Sequence, residues 1–530
     1  MIVSPRHRQI ILNLKDPNRV LQVIPSAKMF PWKGQQLVAV PHGIEETRVL
    51  RNIGLDAPGP IEQYYNWPGR YTPFVHQKVT SSFLTMNPRA FVLSGLGTGK
   101  TLSVLWAYDF LREQKLVRKM LIVSALSTLE RAWGDEIFRN FPHLDFHVVH
   151  GKREKRHKLL KRNVDIYIIN HDGFNNLDTL RLMAEMPDLD VIVGDECAIY
   201  RNAQTLRWKM FNSIVNGNKK VGRVPKKWVW LLSGTPTPNA PTDAFGQVKL
   251  LTPGRVVDGG FMRFRELVMF QQGPYKWVPR LSAPKTVAAY MQPAIRFARE
   301  DCIDLPPTIF ATRHAELTID QHKAMRSMIN TYRAEHEGQQ ISAVNGAVLI
   351  NKLIQIGCGV AYGVHGEVHI PATSRIDLVK EVIDEAEGKV LVFVPLTAPL
   401  LHLHAVLSQV YGTEAVGLVY GDTGKTARDN LFRDFQAQGS PLEILVANPG
   451  TLSHGLTLTQ ANTIIWYAPV HSNEIYQQAN GRIVRPGQHL HTLILNIEGS
   501  ATERDVYDAL QGKQRMQDVI LNIVKENKEV

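Results

Sequence analysis

Two stretches of the 530-residue chain carry residue types, at spacings, that could act on a phosphoanhydride. In the first, SGLGTGKT over residues 94–101, Gly95, Gly97 and Gly99 precede Lys100-Thr101. Glycines let backbone N–H groups wrap a phosphate chain, and the N-terminus of a following helix adds partial positive charge. In such a loop Gly97, Thr98 and Gly99 line the cradle and Lys100 reaches the β/γ-phosphates, while the Thr101 hydroxyl ligates Mg²⁺. The strict P-loop spacing asks for glycine at 94, and Ser94 stands there. The second stretch, VIVGDECAIY over residues 191–200, runs a short β-branched segment into two adjacent carboxylates. Two acids at the end of a buried strand are costly unless something there needs negative charge. Paired with the loop, Asp195 falls where a carboxylate would hold Mg²⁺ through water, and Glu196 where one would act as general base or position the attacking water.

Such residues need strands to aim them. Over 71–253, AFVLS, KMLIVSA, DIYIIN, DVIVGD and WVWLLSG alternate with helical stretches, the pattern of an α/β lobe around a mainly parallel sheet. A second series, KVLVFVP, AVGLVYG, LEILVANP, NTIIWYAP and HTLILNIE, predicts another such lobe over 373–530. Residues 254–372 are less regular and read as a linker and helical region. They hold the Pro-bearing DLPPTIF and the helical DQHKAMRSMINTYRAEHE. Residues 1–70, short apolar runs punctuated by Pro and Gly, read as a small strand-rich or mixed accessory domain.

Composition narrows the classes. A hydrophobic content of 44% and a charged content of 21% suit large cores. The net charge of +12 favours a polyanionic partner. Three scattered cysteines with no CxxC pair suggest neither a disulfide framework nor a zinc site, and fit a reducing interior. No leader-like start and no apolar run of about 18 residues are found, so a soluble, cytoplasmic chain with no membrane association is expected. The 19 histidines show no His-Glu-x-x-His spacing and read as structural, so no metal beyond Mg²⁺ is expected. Two basic segments, GKREKRHKLLKR (151–162) and NKKVGRVPKKW (218–228), are candidates for phosphate contact, with a solvated face as the alternative for each. Neither interleaves aromatics among its cations as single-strand platforms do, which points to tracking of a duplex backbone.

The order of these motifs resembles the superfamily-2 helicases, and within them the Swi/Snf-like (DEAD/DEAH-related) DNA translocases. TPFVHQ is similar to the family's upstream glutamine motif, in which Gln77 would read the adenine edge and favour ATP. LIVSALSTLERAWGDEI (121–137) and IYIINHDGF (166–174) resemble segments that touch the nucleic-acid backbone. LLSGTPTPNAPTDAF (231–245) resembles the motif linking hydrolysis to strand contact, with Ser233 and Thr235 in the coupling positions. SHGLTLTQANTIIWY resembles motif V through Gly455, Leu456 and Leu458. In QQANGRIVRPGQ (477–488), Gln478, Ala479, Arg482, Arg485, Gly487 and Gln488 fill the fixed positions of motif VI. Two guanidiniums one helical turn apart could reach across a cleft to the γ-phosphate, an effect worth about 10³–10⁵ in rate in other NTPases.

The resemblance implies two RecA-like lobes with ATP between them and nucleic acid, most simply double-stranded DNA, across both. The family writes Asp-Glu-x-His where this chain has Asp195-Glu196-Cys197-Ala198, and Trp-Asn-Pro where it has His471-Ser472-Asn473. The second departure resembles compact bacterial and phage members. The expected function is an ATP-dependent translocase on duplex DNA. A strand-separating or branch-migrating helicase and a weakly hydrolysing ATP-gated DNA clamp stand as alternatives.

Overall fold

A strand that is apolar on both faces needs cover on both, and the runs named above find it in two parallel sheets. The computed structural model describes all residues except 174, 185, 218–227, 256–258, 274–275, 303–305, 336–342, 364–365, 453–456, 486 and 527–530. The chain divides into two units, Met1–Cys302 with Gln517–Val530, and Ile303–Met516.

In the first unit seven strands lie in the order Ala294–Ile295, Arg89–Val92, Trp228–Leu232, Leu189–Gly194, Lys119–Ser124, Ile166–Asn170, Phe146–Val149. Every neighbouring pair is parallel. Trp228–Leu232 is buried along its whole length, as a central strand covered on both faces must be. Helices Val75–Met86 and Lys100–Glu113 pack together, and Trp106, Trp133, Phe141 and Trp230 fill the core beneath them. The N-terminal residues build a separate antiparallel sheet, ordered Ile2–Ser4, Gln9–Leu12, Gln35–Pro41, Lys28–Trp32. Its own small core includes Ile10, Leu12, Val20, Val38, Val40 and Leu50.

The second unit holds six parallel strands in the order Thr308–His314, Thr492–Glu498, Ala461–Trp466, Lys389–Phe393, Ile444–Ala447, Val416–Val419. Side chains alternate between its faces. Val390, Val392 and Val446 join one hydrophobic cluster, whereas Leu391, Phe393 and Leu445 join another. A buried ion pair, Arg375 to Glu503 at 2.7 Å, ties helix Thr373–Asp384 to helix Ala501–Glu526. Arg375 also donates to the Tyr467 carbonyl, and Glu503 accepts the Gly499 N–H, so both charges keep hydrogen-bond partners. The expected α/β class, two parallel-sheet lobes with a small N-terminal addition, is the observed one. The helical region between the lobes also supplies an edge strand to each sheet, Ala294–Ile295 and Thr308–His314.

Candidate nucleotide site

Open parallel α/β sheets bind ligands beyond the carboxyl ends of their strands. Strand Trp228–Leu232 lies between Arg89–Val92 and Leu189–Gly194. The segments that follow these three strands (94–99, Ser233-Gly234-Thr235 and Asp195-Glu196) therefore emerge side by side on one edge.

Gly97 and Gly99 take the left-handed conformation, with φ of 80° and 74°, and Gly99 caps helix Lys100–Glu113. A Cβ on Gly99 would lie 2.0 Å from Gln77 Nε2, so the glutamine sits directly against the loop. Gln77 is itself buried, its Oε1 accepting the Phe74 N–H at 2.9 Å. His76 Nε2 donates to the Thr98 carbonyl at 2.9 Å, and Thr98 Oγ1 donates to the Gly95 carbonyl. Burial holds the His76 pKa below the ordinary histidine value, and its bond to Thr98 opposes that shift. Ser81 Oγ spans the two packed helices by donating to the carbonyls of Gln77 and Ser103.

Lys100 Nζ folds over the loop and donates to the Ser94 and Gly95 carbonyls at 2.9 and 3.0 Å. Ser94, the departure from P-loop spacing, has a structural reason. Its Oγ accepts the Phe297 N–H at 3.1 Å, beside the backbone bonds Leu93 N–H to Ile295 O and Gly95 N–H to Phe297 O. The hydroxyl fastens the loop to the segment that carries the edge strand.

Asp195 is held by three donors. Its Oδ2 accepts Ser124 Oγ–H at 2.7 Å and the Trp133 indole N–H at 3.0 Å, while Oδ1 accepts the Glu196 N–H at 3.0 Å. Glu196 follows at φ 51°, ψ 53°, the left-handed region that side chains disfavour by about 1–2 kcal/mol. Burial pushes the Cys197 thiol pKa well up, the charges of Glu196 and Asp195 add to that rise, and Lys100 opposes it. The lysine and the carboxylate turn thus share one electrostatic neighbourhood. The hard oxygens of Thr101 and Asp195 suit Mg²⁺, which keeps waters and phosphate oxygens and needs no protein cage. Among the described residues, no group of three or more His, Cys, Asp or Glu gathers.

Ser233 and Thr235 are buried, and Ser233 Oγ accepts the Thr235 N–H at 3.0 Å. Ala198, where the family pattern has histidine, is fully buried within the turn Cys197–Tyr200.

In the second unit, helix Asn473–Asn480 is capped by Ser472 Oγ, which accepts the Ile475 N–H. Gln478 is buried and donates to Glu474 Oε1 at 3.5 Å. The expectation of two guanidiniums one helical turn apart is not met. The helix ends at Asn480, Gly481 is its C-cap, and Arg485 precedes Pro486, which disfavours helix at Arg485. Arg482 is buried at 2% exposure, and its carbonyl accepts the Leu458 N–H. Arg485 is half-buried; its Nε donates to Gly481 O at 2.6 Å and its Nη1 to Thr457 Oγ1 at 3.3 Å. Gln488 fastens this loop to strand Ala461–Trp466 by donating to the Ala461 carbonyl at 2.7 Å. Gly455 lies outside the described residues, as does all of the 218–228 cluster except Trp228.

The other basic segment forms helix Arg153–Leu160. Arg153 pairs with Asp178 and Arg156 donates to the Gly173 carbonyl, whereas Lys152, Lys155, Lys158, Lys161 and Arg162 are exposed. Among the described residues, no helix is long and apolar enough to cross a membrane.

Sequence reasoning placed Ser124 and Trp133 in a segment expected to touch nucleic acid; the structure adds that both hold Asp195. His76 and Gln247 were not singled out.

Residues 90–353 match the family model for the SNF2-related domain, and residues 374–487 that for the helicase conserved C-terminal domain. The chain is similar to putative protein p41 of Acyrthosiphon pisum secondary endosymbiont phage 1. The two are 21% identical over 495 residues, 86% of this chain and 99% of that protein. It is 22% identical over 503 residues to the uncharacterized ATP-dependent helicase YqhH of Bacillus subtilis (strain 168), covering 88% of this chain and 81% of the relative. Among solved structures, the Sulfolobus solfataricus SWI2/SNF2 ATPase core in complex with dsDNA aligns with a TM-score of 0.41 at 21% identity. That alignment covers 88% of this chain and 96% of the other.

Proposed function

The chain belongs to the Swi/Snf-like superfamily-2 helicases and is a nucleic-acid-stimulated ATPase, and from that premise we propose that it hydrolyses ATP to move along double-stranded DNA. The observation that carries this reading is the shared sheet edge, where the loop at 94–99, the Asp195-Glu196 turn and the Ser233–Thr235 segment emerge side by side.

In this reading Lys100 exchanges the carbonyls of Ser94 and Gly95 for the β- and γ-phosphates as they settle against the N–H groups of Gly97, Thr98 and Gly99. Gln77 reads the adenine from its place against the loop. Thr101 and Asp195 would hold Mg²⁺, which would supply charge neutralisation on the phosphate oxygens. Ser124 and Trp133 keep Asp195 aimed, and Glu196 accepts the proton of the attacking water. The motif resemblance assigns Arg485, Arg482 and Gln478 to the transferring γ-phosphate and Gly455 to nucleotide contact. Ser233 and Thr235 follow the strand that lies between those of the two phosphate-handling segments, so a shift in their loop is felt by both.

Duplex tracking is supported by the net charge of +12 and by the exposed Lys152, Lys155, Lys158 and Lys161, with no Phe, Tyr or Trp in 151–162. The test is displacement of a triplex-forming strand from intact duplex, run beside displacement of a labelled strand from a fork. ATP-dependent triplex displacement without fork unwinding is the expected result. Fork unwinding without triplex displacement would replace this reading with a strand-separating helicase.

A further inference from the structure

Gln247 lies outside every motif that the sequence marks, yet it is fully buried in helix Ala244–Leu251 and joins three segments around the carboxylate turn. Its Oε1 accepts the Cys197 thiol proton at 3.1 Å. Its Nε2 donates to the Pro236 carbonyl at 2.6 Å and to the Asp243 carbonyl at 2.9 Å. Both amide protons and the amide oxygen are therefore engaged.

The adjoining glycine makes this contact tight. A Cβ on Gly246 would lie 2.2 Å from the Tyr200 carbonyl oxygen and 2.5 Å from that of Arg201. The helix therefore meets the turn backbone to backbone. Glu196, next to Cys197, keeps its left-handed conformation at φ 51°. Such a conformation persists only where its surroundings over-determine it. On one side the Glu196 N–H is fixed by Asp195 Oδ1. On the other side the constraint passes through Cys197.

We propose that Gln247 is a positioning residue for the ATPase reaction, clamping the Glu196 turn to Pro236 so that movement of the 233–238 loop alters the aim of Glu196. The route runs from Cys197 through Gln247 to Pro236 and does not need a side chain at Ala198. This inference rests on the reading of Glu196 as the group that activates water.

The experiment is steady-state ATPase of the full chain with and without duplex DNA, separating kcat from KM, for Gln247→Leu, Gly246→Ala, Cys197→Ala and Cys197→Ser, with Glu196→Gln as control. A misaimed base lowers kcat: Gln247→Leu, Gly246→Ala and Cys197→Ala should each lose about tenfold or more in kcat while KM for ATP stays within about twofold. Cys197→Ser, which keeps a donor facing Gln247, should recover most of that loss. A folded Gln247→Leu with wild-type kcat overturns the inference, as does a Cys197→Ser as slow as Cys197→Ala. If Gln247→Leu fails to fold, Cys197→Ala decides, and wild-type kcat there overturns it. Rapid turnover by Glu196→Gln would remove the premise about the base. An inactive Glu196→Gln beside a fully active Gln247→Leu would remove this inference alone.

Discussion

Gly99→Ala is the substitution whose effect follows most directly from the loop geometry. At φ 74° any Cβ enters the left-handed region, a penalty of about 1–2 kcal/mol. The new methyl would also stand 2.0 Å from Gln77 Nε2, so the glutamine must turn away. In turning it gives up the Phe74 N–H that its Oε1 now accepts, worth about 1 kcal/mol. Together these amount to about 2–3 kcal/mol against the loop conformation that cradles phosphate, and at 1.4 kcal/mol per decade that is roughly a 30- to 140-fold loss of affinity. Calorimetric titration with magnesium tripolyphosphate measures it without involving the adenine. In a Gln77→Ala background the contact is already gone, so the same glycine change should cost only the backbone part, about 1–2 kcal/mol. An affinity within about twofold of wild type would refute the reasoning, and so would an equal penalty in the two backgrounds.

Ser94→Ala should lower stability by about 1–3 kcal/mol in a denaturant titration, because the Phe297 N–H loses its acceptor. Ser94→Gly, which matches the usual P-loop spacing, should lose as much and gain no ATP affinity. Arg485→Ala should cut turnover by about 10³-fold or more while filter-binding affinity for duplex DNA stays nearly unchanged; near-normal turnover would remove Arg485 from the γ-phosphate. The His76 pKa is lowered on folding, so the folded state binds fewer protons than the unfolded chain at mildly acid pH. Thermal stability should therefore be flat above about 6.5, the ordinary histidine value, and fall as the pH drops below it, with His76→Gln removing that part of the slope.

The strands were legible because Trp228–Leu232, Lys389–Phe393 and their neighbours are apolar on both faces, which only a covered sheet accommodates. Lys100, Thr101, Asp195 and Glu196 were legible because local spacing sets their chemistry. The neighbours of Asp195 were not. Lateral order in a parallel sheet is decided by how the crossover helices pack, so nothing local to Ser124 or Trp133 announces a carboxylate about 60–70 residues further on. Gln247 is hidden for the same reason, an apolar-flanked polar residue in a helix whose partners come from two other segments. The end of helix Asn473–Asn480 was there to be read: Gly481 and Pro486 are both helix-stopping signals, and they set Arg482 and Arg485 in a loop.

The measurement that bears most directly on an ATP-driven duplex translocase is the steady-state ATPase rate with no nucleic acid, single-stranded DNA, duplex DNA and RNA, beside a Glu196→Gln control. Strong stimulation by duplex DNA, abolished in Glu196→Gln, is the predicted result. Equal rates under all four conditions, or stimulation confined to single strands or RNA, would contradict the account.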